Sequence, residues 1–129
     1  MAILLVGFAY ATMQTKETTK TGTYTGTTAH VNADFYGGYL HNPYFHNWAW
    51  VRQQLPSGTK LCMEYRWKVN GTVTVDHKTI YDDAGTGSLD ADYPYTGTVT
   101  LSTSQSRAGY SDGTVTWDTE WAIASIPFG

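Results

Sequence analysis

Leu61-Cys62-Met63-Glu64-Tyr65-Arg66-Trp67-Lys68-Val69-Asn70-Gly71-Thr72-Val73-Thr74-Val75-Asp76-His77 is the stretch that decides the fold class. Leu61, Met63, Tyr65, Trp67 and Val69 alternate with Cys62, Glu64, Arg66 and Lys68, and a period of two puts these two sets on opposite faces of a strand. Asn70-Gly71 follows, the dipeptide that best tolerates two consecutive positive φ values, and Val73, Val75 and His77 resume the alternation. Residues 61–81 therefore read as a β-hairpin with a two-residue turn.

The same period extends outward in both directions. Residues 24–35 place Ala29, Val31, Ala33 and Phe35 on one face and Thr28, His30, Asn32 and Asp34 on the other. Gly37-Gly38 and Asn42-Pro43 interrupt the chain before a second run at 44–53. Beyond the hairpin, 82–94 is rich in Asp and Gly and reads as a loop, 95–103 alternates through Val99 and Leu101, and Asp112-Gly113 marks a tight turn. That turn leads into Val115, Trp117, Thr119, Trp121 and Ile123 on one face of a last strand. No window holds the i, i+3, i+4, i+7 pattern of an amphipathic helix. Six or seven strands at this spacing predict an all-β antiparallel sandwich, with a small closed barrel as the alternative.

Composition agrees. Charged residues make up 15% of the 129, against about 25% in an ordinary soluble domain, and 10 Tyr and 5 Trp suit pleated, half-buried surfaces. The length suits one domain, over 23–129, preceded by a flexible polar lead-in at 12–22 (TMQTKETTKTG). Residues 1–11 form an apolar run ending in Ala9-Tyr10-Ala11, a small-x-small cleavage pattern that reads as a signal-peptide remnant and predicts a secreted, extracellular protein. The alternative is an apolar N-terminal strand that belongs to the fold or inserts into a neighbouring copy. About ten apolar residues are too few for a transmembrane span, which takes roughly 20. Net charge is -3 with Lys and Arg scattered singly, so nucleic acid is not an expected partner. Cys62 is the single cysteine and reads as a buried thiol.

Motifs for nucleophilic hydrolysis, zinc proteolysis and phosphate or dinucleotide binding are absent from the sequence, which argues against an enzyme. The candidate ligand site is aromatic. Tyr44, His46, Trp48 and Trp50 share one face of their run, and Phe45, Asn47, Ala49 and Val51 share the other. If Phe45, Ala49 and Val51 point inward, the first set is an exposed platform for stacking sugar rings; if the Trp face points inward, it is core. Trp67, Trp117 and Trp121 lie on apolar stripes and are expected in the core. Asp82, Asp83, Asp90 and Asp92 form an acidic loop with glycines between them, a candidate calcium site, the alternative being a solvated loop stapled by its own Asp side chains. The expected function is a secreted, non-catalytic binding or surface-structural module whose partner is an extracellular glycan or protein surface. Alternatives are a self-assembling filament or coat subunit completed by strand donation from 1–11, with copies of itself as partner, and a secreted toxin or small hydrolase using Asp82, Asp83, His77 or His46.

Overall fold

The computed structural model describes residues 14–24, 27–38, 41–52, 54–94 and 101–126, with side chains at 18–22, 46–52, 54–91 and 101–125. Residues 1–11, with the expected cleavage site or donor segment, lie outside the described residues. Among the described residues there are nine strands: β1 (Gln14–Tyr24), β2 (Thr27–Gly38), β3 (His41–Val51), β4 (Lys60–Val69), β5 (Thr72–Tyr81), β6 (Ser88–Pro94), β7 (Ser102–Ser111), β8 (Val115–Trp117) and β9 (Ala122–Ile126). No described residue is helical, and no helix is long and apolar enough to cross a membrane.

The strands form two antiparallel sheets, one ordered β1-β2-β3-β6 and the other β5-β4-β7-β8, with β9 also paired to β7. The closed-barrel alternative is not what forms, because each sheet keeps its own open edges, β1 and β6 in the first and β5 in the second. β8 takes the upper part of the β7 edge, Gly109–Ser111, and β9 the lower part, Ser102–Ser106. The expected last strand is thus two short strands, broken where the backbone amides of Asp118 and Thr119 both donate to the Ala108 carbonyl.

The hairpin at 61–81 forms with Asn70 at φ 50° and Gly71 at φ 85°, the pair of positive values that a type I′ turn needs. Its second strand carries extra residues in the stretch opposite Tyr65 to Val69. Tyr65 faces Lys78 and Trp67 faces Val75, so Asp76 and His77 both stand opposite Arg66 in a bulge; another irregularity follows before Lys68 and Val73.

Three segments depart from expectation. The lead-in at 12–22 is a strand from Gln14 onward, paired along its whole length with β2. The loop at 82–94 ends at Gly87, and β6 pairs with β3 from Ser88 to Pro94. Of the strand expected at 95–103, residues 95–100 lie outside the described residues and β7 begins at Ser102.

The buried face of β4 dominates the core: Leu61, Met63, Tyr65, Trp67 and Val69, with Ala49, Ala91, Ala108, Tyr110, Ala122 and Ala124 around it. Register explains how these large side chains fit. Tyr65 faces Ser106, Trp67 faces Ser104 and Met63 faces Ala108 across the β4–β7 pair, so small residues on β7 leave room beside large ones on β4. Gly109 completes that fit, since a Cβ there would run into the Thr116 carbonyl of β8.

The sheets meet through their inner faces. Asn47 of β3 is fully buried, and its Oδ1 accepts from Trp67 Nε1 at 2.7 Å and from Ser104 Oγ at 2.8 Å. Thr18 of β1 donates to the Ile123 carbonyl of β9 at 2.8 Å. These bonds link the sheets at two separate places.

Candidate functional site

Burial along β3 settles which face of 44–51 is outward. Asn47 and Ala49 are sealed in the core, and His46, Trp48 and Trp50 between them are only partly buried. The orientation that would have made the Trp face core is therefore not adopted, because β4 already supplies the large side chains between the sheets and leaves room for Asn and Ala.

His46 and Trp48 have ring centroids 4.4 Å apart at 31°, and Trp48 and Trp50 are 5.9 Å apart at 18°. Three rings thus run along one strand as a continuous ladder. Tyr44 sits two residues before His46 in the same strand, with Pro94 of β6 as its cross-strand partner; its side chain lies outside the described ones. His46 Nε2 lies 3.0 Å from Asp90 Oδ1 of β6, which fixes the imidazole at one end of the ladder. Asp90 and Asn32 are the two register partners of Trp48, and such partners occupy one row across a sheet.

Of the four aspartates expected to share a metal, the three with described side chains each have another partner. Asp82 is buried and holds its own loop: Oδ1 accepts from the Thr86 amide and hydroxyl, each at 3.0 Å, and Oδ2 from the Gly87 amide at 2.6 Å. Asp83 pairs with Lys60 at 2.6 Å, and this contact raises the Lys60 ammonium above its ordinary value. Asp90 serves His46, and Asp92 is the register partner of His46 with its side chain outside the described ones. Among the described residues no three His, Cys, Asp or Glu groups converge as metal ligands.

A cluster that sequence reasoning missed lies on the outer face of the second sheet. Glu64 of β4 is 8% exposed; its Oε1 accepts from Arg107 Nε at 2.7 Å and its Oε2 lies 3.0 Å from His77 Nδ1. The Arg107 guanidinium carbon sits 4.4 Å from the Trp117 ring and 4.7 Å from the Trp121 ring. Trp117 and Trp121 are thus half-buried partners of a cation and not the core residues expected. Their stripe breaks at 118–121, which turns Trp121 toward Arg107 and leaves Ile123 exposed. His77 lies edge-on to Trp121 at 5.7 Å, and Asp76 accepts from Arg66 Nε at 3.0 Å. The bulge brings Asp76 and His77 to one face, where strict alternation would have separated them. Only the proximity of Glu64, Arg66, Asp76 and His77 across an Asn-Gly hairpin hinted at this in the sequence.

No protein-family model, curated protein or solved structure matches this chain.

Proposed function

We propose that the two packed sheets are the layers of a β-sandwich serving as a secreted, non-catalytic binding module, and that it takes a neutral, extended glycan along the outer face of β3. The supporting observation is the half-exposed ladder of His46, Trp48 and Trp50, held rigid by a strand whose alternate residues are sealed in the core. Aromatic faces and edges bind the apolar C–H surfaces of sugar rings, and the adjacent polar groups orient the hydroxyls. From His46 to Trp50 the strand rises about 13 Å, room for a short oligosaccharide more than for a single ring. Asp90, 61% exposed at its side chain, adds an acceptor for sugar hydroxyls.

The sheet edges favour this module over a filament subunit. β5 carries two register irregularities and β1 carries Lys16, Glu17 and Lys20, features that discourage strand addition by another copy. The test is calorimetric titration with a panel of neutral oligosaccharides. Trp48→Ala is expected to weaken the best binder about tenfold, or ~1.4 kcal/mol, with an unchanged melting temperature. A panel without binders, or affinity indifferent to Trp48→Ala, would refute the reading.

A further inference from the structure

We propose that the outer face of the second sheet holds a separate binding site for an acidic saccharide, with Arg107 as the fork that recognises a uronate carboxylate. The site lies on the opposite side of the molecule from the β3 ladder and does not depend on it: Trp67 points inward to Asn47, so Arg66, one residue before it in β4, and Glu64, three before it, point outward.

Arg107 is held before any ligand arrives. Its Nε is committed to Glu64, and its guanidinium lies against both the Trp117 and the Trp121 rings. The two Nη groups have no acceptor among the described residues, and they are not sealed from solvent. With Nε occupied, the end-on pair of Nη donors remains, and that pair matches the two oxygens of a carboxylate. Arg66 repeats the arrangement: its Nε is tied to Asp76 and its Nη groups are without an acceptor among the described residues. Glu64 faces Arg107 and Arg66 faces Gln105, so the two arginines are diagonal neighbours on one face, a spacing of roughly 7–8 Å or a little less.

The backbone is bent to build this cluster. His77 holds a positive φ of 49°, a conformation uncommon outside glycine, within a bulge that turns two consecutive residues outward. Strain of this kind persists where neighbouring interactions enforce it, and it concentrates at binding sites. The half-buried indoles of Trp117 and Trp121 offer an apolar wall for a ring, and Asp76, 65% exposed at its side chain, offers an acceptor for ring hydroxyls. A carboxylate on a hydroxylated ring uses all three features. The chain's net charge of -3 gives polyanions no general attraction, so their binding would report this local site.

The experiment titrates the full chain with oligogalacturonate, with the matching neutral galactose oligomer and with acidic peptide, following heat and the Arg107 Nε–H resonance. Oligogalacturonate is expected to bind and shift that resonance, the neutral oligomer to leave it in place, and Arg107→Lys to weaken uronate binding about ten- to a hundredfold. Trp48→Ala is expected to leave uronate binding intact, which separates this site from the β3 face. The resonance is read on the unaltered protein, so a misfolded Arg107→Lys would not spare the proposal. An unmoved resonance under saturating uronate overturns it, and so does equal binding of the neutral oligomer or a shift produced by acidic peptide alone.

Discussion

Replacing Asn47 with alanine removes a side chain on which donors from two strands of the opposite sheet converge. Its Oδ1 accepts from Trp67 and from Ser104, while its Nδ2 is buried without a partner among the described residues. The cost of the single substitution mixes opposing contributions. Stranding the Trp67 N–H costs about 1–3 kcal/mol, a serine hydroxyl can rotate to another acceptor, and loss of the unpartnered Nδ2 relieves a desolvation cost of similar size. A double-mutant cycle with Trp67→Phe isolates the inter-sheet bond, because the Nδ2 relief and the small cavity recur in both Asn47→Ala steps and cancel. The expected coupling is about 1.5–2 kcal/mol, read from urea unfolding of the parent, the two single variants and the double variant, with m unchanged across the four. Additivity within ~0.5 kcal/mol would mean that the Trp67–Asn47 bond does not hold the sheets in register, and the face-to-face packing would need to be redrawn.

Two further outcomes follow from buried ionisable groups. Burial raises the Asp118 carboxyl above the ordinary carboxylate value, so the folded chain holds that proton more tightly than the unfolded one, and the associated stability is lost as pH rises from about 4 through the folded value. Asp118→Asn is therefore expected to melt higher than the parent at neutral pH and to lose its advantage as pH falls below about 4; melting curves offset equally at every pH would contradict this. Burial also pushes the Cys62 thiol up to about 11, with the Gly109 backbone bond pulling the other way, so iodoacetamide at pH 8 is expected to label it only after denaturation. Rapid labelling of the folded chain would show that β4 is accessible.

Where apolar and polar residues alternate around a strong turn, the sequence reads directly: the β4–β5 hairpin forms at the turn residues expected. β7 was obscured because its buried positions other than Tyr110 hold small residues, Ser102, Ser104, Ser106 and Ala108 among them, whose burial depends on Tyr65 and Trp67 beside them, and that pairing is not visible along the chain. β1 and β6 were obscured for a related reason. Each is an edge strand, and the Thr, Lys and Asp suited to an edge resemble a loop when read in isolation. The aromatic ladder was legible as a face but not in its orientation, since the volume left between the sheets is set by β4. The Arg107 cluster depended on a bulge that breaks the very period used to read strands.

The strand order has a consequence for how the chain can be divided. After β3 the chain leaves the first sheet to make the β4–β5 hairpin in the second, returns to lay β6 beside β3, and crosses again to β7. The neighbours β3 and β6 are thus separated in sequence by a hairpin of the other sheet, and β4 and β7 by a strand of the first. A cut between β4 and β6 therefore leaves neither sheet on a single fragment. Two pieces mixed in solution would regain structure only by rebuilding sheets across the cut, which makes the loop at 82–87, between β5 and β6, a natural junction for a split reporter whose signal requires reassembly of the whole molecule.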